Sequence, residues 1–427
     1  MGAWVRAAVL MAGVALATGC ANPVTSAAQP GAPAQTSPTV TLVDVEHGIA
    51  VVGVSAECCG NQEQGRPHLW LSTVSSVSTG GTQWRDITPA AVTHPAPSGD
   101  FPMFESASFL SATIGWVTTY DPATARVTIY RTRDGGRTWT SIPGGGHTPN
   151  AGAITRVQLL TPTSVILETV QPTAPSTTLR VSTDAGATWH TVFTGPPTTS
   201  TAAPLGQVLE FTSRARGFAA FGIPPADPLT SPDSAGLMRT ADGGATWTRL
   251  PLPPPWASSS CPADATDTWC WTGVPVFFDT RTGVIAAERL HASTATVAFD
   301  TSSDGGMTWA SAASLTVPIP PRQTNQADTP APIPPTPSGA LVCTPSSHAW
   351  WVLTRLDAGV TTRVSTDRGA RWTTAVSTTP LGRPTGLYAV DASRALLTTT
   401  VATSSGNHVS AVWVTTDSGH TWRRLFG

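Results

Sequence analysis

Six aspartates of this chain occupy nearly the same local string. Asp134 lies in TRDGGRTW, Asp184 in STDAGATW, Asp242 in TADGGATW, Asp304 in SSDGGMTW, Asp367 in STDRGARW and Asp417 in TTDSGHTW. A carboxylate beside hydroxyls and glycines could ligate a metal or act as a catalytic acid. Recurrence argues against both, because an active site is built once whereas a turn is built in every repeat. The turn chemistry is direct. Aspartate accepts hydrogen bonds from the N–H groups of a tight loop, and the glycine two positions on permits a positive φ. The tryptophan five positions after the aspartate (Trp139, Trp189, Trp247, Trp309, Trp372 and Trp422) anchors the outgoing strand by burying a ring, worth roughly 1.5–3 kcal/mol. All twelve residues are read as structural.

No other constellation carries clear chemistry. The loop carboxylates Asp100, Asp264, Asp267 and Asp328 are solitary in sequence, whereas a glycosidase needs two that face each other. The nine histidines include no HExxH and no close pair. His147 follows three glycines, but no GxSxG elbow exists to use it. The basic residues are all arginine, which rules out a lysine Schiff base. The Gly-Gly pairs belong to the repeated turns, so no phosphate-binding loop is present. No metal and no cofactor is expected. Net charge is −2 with 12% charged residues and no basic patch, which excludes a nucleic-acid footprint.

The elements that position these residues follow from the spacing. The boxed tryptophans are 50, 58, 62, 63 and 50 residues apart. A second pattern precedes each box, with an apolar start, a polar middle and a small or turn residue at its end. It reads FLSATIG from Phe109, LLTPTSV from Leu159, FTSRARG from Phe211, FFDTRTG from Phe277, CTPSSHA from Cys343 and AVDASRA from Ala389. A β-prone run follows each one, so the pattern marks a hairpin. It also finds a seventh unit, LVDVEHG from Leu42, followed by a degenerate box VSTGGTQW ending at Trp84. Each unit then holds four short strands, two around the first turn and two around the box. Repeated radially, such units make a β-propeller. The expected fold is all-β, a seven-bladed β-propeller of four-stranded antiparallel blades, with the box turn between third and fourth strands and no strand exchanged between the first and last blades.

The motif S/T-x-D-x-G-x-T-W resembles the Asp-box, or BNR, repeat shared by sialidases, some other glycosidases, sortilin-type receptors and photosystem assembly factors of the Ycf48/HCF136 type. The paired pattern ASFLSATIGW then RDGGRTW is most similar to the last group, and the resemblance runs from Thr39 to the end of the chain. It implies the propeller fold and is nearly silent about function, since the repeat serves unrelated tasks. A sialidase would carry an arginine triad, a Tyr–Glu nucleophile pair and an Arg-Ile-Pro motif. That last motif is missing, and the three tyrosines, Tyr120, Tyr130 and Tyr388, fall in predicted strands.

The N-terminal residues are set apart from the fold. Residues 1–19 have one early arginine and a short apolar run from Ala7 to Leu16, too short to span a bilayer, and read as a signal peptide. The string ATGC resembles a bacterial lipobox, which implies lipidation of Cys20. Residues 20–38 are rich in Pro, Ser, Thr and Ala and read as a flexible tether. The propeller is residues 39–427. A secreted domain can keep disulfides, and Cys261 and Cys270 are spaced to clamp a loop. Cys343 takes the slot of Phe109 or Phe277 and is expected to be a buried free thiol, although a bond to Cys58 or Cys59 is open, as is one between those adjacent two. Insertions at 56–67, 89–103, 251–275 and 316–338 should gather on the face opposite the boxes. The third holds Trp256, Trp269 and Trp271, exposed aromatics that suit a protein or glycan ligand or that simply pin the loop. The resulting expectation is a monomeric, lipid-anchored, extracytoplasmic and non-catalytic binding or scaffold protein for a protein or glycan partner, touching the membrane through its anchor only. A sialidase-like glycoside hydrolase and a photosystem-type assembly factor are the alternatives.

Overall fold

The computed structural model describes residues 39–42, 47–52, 68–73, 84–93, 102–121, 124, 126–142, 154–171, 176–195, 208–221, 236–250, 268–272, 275–291, 294–318, 340–356, 359–379, 381–402 and 408–426. These form antiparallel sheets in strict chain order. The first sheet is β1 (Thr39–Leu42), β2 (His47–Val52), β3 (His68–Thr73) and β4 (Trp84–Asp86). The second is β5 (Met103–Phe109), β6 (Gly115–Asp121), β7 (Arg126–Thr132) and β8 (Thr140–Ser141). The third is β9 (Ile154–Leu159), β10 (Val165–Gln171), β11 (Ser176–Ser182) and β12 (His190–Gly195). The fourth is β13 (Val208–Phe211), β14 (Gly217–Phe221), β15 (Gly236–Thr240) and β16 (Thr248–Leu250). The fifth is β17 (Thr268–Thr272), β18 (Val276–Phe277), β19 (Gly283–His291), β20 (Thr294–Ser302) and β21 (Ala310–Pro318). The sixth is β22 (Leu341–Cys343), β23 (Trp350–Leu356), β24 (Gly359–Ser365) and β25 (Thr373–Ser377), and the last is β26 (Arg383–Ala389), β27 (Ala395–Ala402), β28 (His408–Thr415) and β29 (Arg423–Phe426). The molecule is an all-β propeller of four-stranded antiparallel blades. First strands of neighbouring sheets lie side by side, β5 against β9 and β22 against β26, and β26 also meets β1.

The fifth sheet departs from the expected four strands. Its first strand is broken in two: β18 covers the turn-side end of β19, from Val284, and β17 covers the far half, from Ala287 to His291. Trp269, Cys270 and Trp271 therefore sit within a strand rather than in a loop.

The core lies between sheets. Trp116 and Phe218 are fully buried, and Phe299 stacks on Trp350 across the fifth and sixth sheets at 4.7 Å. Strand alternation sets what points inward, as in β7, where Val127 and Ile129 are buried between more exposed neighbours. The small residue ending the hairpin pattern also has a packing reason. A Cβ at Gly217 or Gly283 would lie 2.7 Å from the ring of Phe211 or Phe277, six positions earlier on the partner strand. The same rings meet the boxed tryptophans edge-on, Phe211 with Trp247 and Phe277 with Trp309, both at 6.0 Å.

Candidate functional site

The six aspartates all do the same work. Ser182 Oγ donates to Asp184 Oδ1 at 2.8 Å and accepts the Gly186 N–H at 2.8 Å. Thr188 N–H donates to Asp184 Oδ1 at 2.9 Å, and Thr188 Oγ1 donates to Oδ2 at 2.6 Å. The set recurs around Asp134, Asp242, Asp304 and Asp417. Around Asp367 the threonine is replaced by Arg371, which offers only its N–H. Hydrogen bonds from Thr138, Thr188 and Thr246, hydroxyl first and N–H second, pull the carboxyls of Asp134, Asp184 and Asp242 down to about 2. These acids are ionised turn acceptors throughout the physiological range.

The two sequence patterns travel together because they touch. The residue after each aspartate donates its N–H to the first turn of the same sheet: Gly135 to Thr113 O, Ala185 to Thr163 O, Gly243 to Ala215 O, Gly305 to Arg281 O, Arg368 to His348 O and Ser418 to Ser393 O. That bond requires a left-handed backbone, even where the residue is Ala185, Arg368 or Ser418, with φ near 60°.

Sequence reading missed a second group of polar residues, at the joints between sheets. A first strand is a sheet edge, so its outward N–H groups need partners from elsewhere. Side chains of the preceding sheet supply them. Along β9, Thr155 N–H donates to Glu105 Oε2 at 3.1 Å, Val157 N–H to Ser106 Oγ at 3.2 Å and Leu159 N–H to Ser108 Oγ at 3.0 Å. Gln158 in turn accepts the Phe211 N–H at 2.9 Å and donates to Phe211 O at 2.9 Å and to Glu210 Oε1 at 2.7 Å. Glu288 Oε1 accepts the Ala340 N–H at 2.5 Å, and Cys343 Sγ accepts the Ala389 N–H at 3.3 Å.

The joint between the second and third sheets holds the most charge. Glu105 is the extra residue of a β-bulge, since the β5–β6 register shifts between Phe104 and Ser106, and bulges re-aim side chains. Beside it, Arg156 on β9 pairs with Glu168 on β10 at 3.5 Å. Solvent reaches part of Glu105, yet protein crowds its carboxyl, and burial pushes it up to about 8 against the pull of Thr155 and Arg156. Burial also raises Glu168, and pushes Glu288 and Asp300 up to about 7.

The remaining sequence expectations are placed only in part. Cys20, Trp256 and Cys261 lie outside the described residues, as do Cys58 and Cys59. Cys270 is in β17 opposite Arg289. Cys343 is not the expected free thiol: it is fully buried and disulfide-bonded, to a sulfur that is not among the described side chains. Among the described residues no group of three or more His, Cys, Asp or Glu could hold a metal, and no helix is long and apolar enough to cross a membrane.

No family model and no curated protein sequence matches the chain. Solved structures do resemble it. YCF48 from Cyanidioschyzon merolae is 13% identical over 91% of this chain and 98% of that one, with a TM-score of 0.49. The GH74 enzyme of Niastella koreensis is 12% identical over 96% of this chain and 73% of that one, with a TM-score of 0.31. A PL25 ulvan lyase is 10% identical over 79% and 78%, with a TM-score of 0.41. Likenesses this remote carry no argument about function.

Proposed function

We propose that this chain is a monomeric, lipid-anchored, extracytoplasmic propeller that binds or scaffolds a protein or glycan partner at the cell envelope without catalysis. In this reading residues 1–19 direct export, Cys20 carries the lipid and residues 20–38 form the tether. The sheets are seven blades of a closed ring with Asp-box turns between third and fourth strands, which the seven sheets and the contact of β26 with β1 support. The observation that supports the non-catalytic part is how carboxylates are used among the described residues, which do not include the loop acids Asp100, Asp264, Asp267 and Asp328. The box aspartates are engaged within their own turns, and Glu105, Glu210 and Glu288 are engaged at joints between sheets. Acids spent on holding the fold leave a rigid frame whose loops do the recognising. Calorimetric titration of residues 39–427 with envelope glycans and with solubilised envelope protein tests this: saturable binding without product supports it, and turnover of any glycan overturns it. For the anchor, Cys20→Ser should move the protein from the membrane to the soluble fraction, and unchanged retention refutes lipidation.

A further inference from the structure

We propose that the free edge of β21 is a docking site for an extended, uncharged segment of a partner protein, which adds to the fifth sheet as a further strand. The proposal rests on the binding reading above and selects a protein rather than a glycan as the partner.

β21 is unlike the last strands of the other sheets. Among the described residues each sheet ends on a strand paired on one side only. Such an edge leaves a row of N–H and C=O groups open to pairing with another chain. The other edges are short, and most carry charge. β4, β8, β12, β16, β25 and β29 have two to six residues. Arg85 and Asp86 stand on β4, His190 on β12, Arg249 on β16, and Arg423 and Arg424 on β29. β21 has nine residues, ASAASLTVP, without a charge among them and mostly exposed. Its irregularity lies near its start, where the ladder shifts between Phe299 and Asp300, and from Ala313 onward the register is even.

The surface beside this edge selects the side chains of the occupant. Val376 and Met307 are the large hydrophobic side chains exposed among the described residues, at 57% and 51%. Both border β21. Met307 is in the turn that leads into it. Val376 is on β25 and faces the fifth sheet. It stands opposite Thr361, which stands opposite Thr354. Thr354 shares a strand face with Trp350 and Val352, which pack on Val297 and Phe299. Leu315 stands opposite Val297 and looks back across the same gap, packed on that cluster yet only half-buried. A strand added outside β21 would present every second side chain to this gap. Apolar residues there would cover Leu315 and Val376 while the main chain satisfies the edge. A main-chain ladder with contacts for alternate side chains is how a sheet edge recognises an extended peptide. A glycan has no matching row of amides. The chain that follows β21 is a poor occupant, because residues 319–339 include seven prolines, each lacking the N–H that a ladder needs.

The probe is a fluorescein-labelled peptide of alternating Val and Thr, as long as β21 and with an Arg at each end. Titrated into the whole protein, it should bind saturably and raise hydrogen-exchange protection in β21 while leaving β12 and β29 unchanged. Val376→Asp and Ser314→Lys, both at exposed positions, should each weaken binding by about tenfold or more and leave the melting temperature close to that of the parent. N-methylated peptides report whether the main chain is used. A strand docked on one edge offers alternate amides to it, so of two peptides methylated on alternate residues one should lose binding and the other keep it. Absence of binding, equal effects of the two methylations, or unchanged affinity in both variants overturns the proposal. So does self-association with β21 already protected in the free protein, which would make a second copy the occupant. The binding reading falls separately, on glycan turnover.

Discussion

Gly186→Ala should be among the most damaging single-methyl changes in the chain. Gly186 has φ 87°, and a Cβ built on it would lie 2.6 Å from Ile142 Cγ2 and 2.7 Å from Trp116 Cη2. Both neighbours belong to the preceding sheet or its exit, and both are buried, Trp116 fully. Two costs add. A left-handed backbone costs an L-residue about 1–2 kcal/mol, and forcing a methyl into a closed contact costs about 1–3 kcal/mol. The expected loss is about 2–5 kcal/mol. Unfolding entropy near 2.1 cal/mol/K per residue gives about 0.8 kcal/mol/K for the proposed propeller of about 390 residues, so the melting temperature should fall by about 3–6 °C if it unfolds as one unit. Differential scanning calorimetry of parent and variant measures this directly. Ala185→Gly is the control, since it relieves a left-handed alanine at φ 59° and its gain is offset by the entropy of the added glycine, leaving a change within about 1 kcal/mol. A Gly186→Ala protein that melts with the parent would refute the claim that box glycines are required by close approach to the neighbouring sheet.

Three further outcomes are expected. Asp242→Asn should cost about 1 kcal/mol or less at neutral pH, because Thr240, Thr246 and their turn lose a charged acceptor where water reaches them. Since the Asp242 carboxyl is held at about 2 against 3.8 unfolded, its contribution is present above 3.8 and lost as pH falls through 2, so acid denaturation monitored by tryptophan fluorescence should be shallower in the variant. Gln158→Ala strips partners from the Phe211 N–H and from buried Glu210 and should cost about 2–4 kcal/mol in urea unfolding; a loss below 0.5 kcal/mol would mean that water replaces the amide without penalty. Peptide mapping under non-reducing conditions should recover Cys343 in a linked pair, whereas alkylation of Cys343 in denaturant without reductant would refute the bond. The same map reports whether Cys261 and Cys270 are joined.

The propeller was legible because its repeat is made of contacts that sequence displays directly. Asp184, Gly186 and Trp189 sit within one turn, and the Phe211–Gly217 and Phe277–Gly283 pairs lie six positions apart. Local spacing suffices for such features. The break in the fifth sheet was not read, because TWCWT lies at the end of a Pro-rich insertion and contains Cys270, one of its two cysteines; its five consecutive Thr, Trp and Cys residues, free of Gly and Pro, were the available strand signal. The joint residues were hidden for a different reason. Glu105, Arg156 and Glu168 stand in FESASF, ITRVQL and VILETVQ as isolated charges in β-prone runs, a hint of burial. Which of them meet depends on the approach of β5 to β9, some 50 residues apart, and periodicity does not give that.

Side-chain joints also limit how the ring can be assembled. Within a sheet, backbone ladders are interchangeable and any strand of the right length would serve. Among the described residues, four joints between sheets differ in chemistry: a carboxyl and two hydroxyls between the second and third, an amide between the third and fourth, a carboxyl between the fifth and sixth, and a sulfur between the sixth and seventh. Sheets joined in this way are keyed to their successors. Removing or transposing one would set an acceptor against the wrong N–H even though every turn remained intact. The repeat copies the bricks, and the unlike mortar fixes their order.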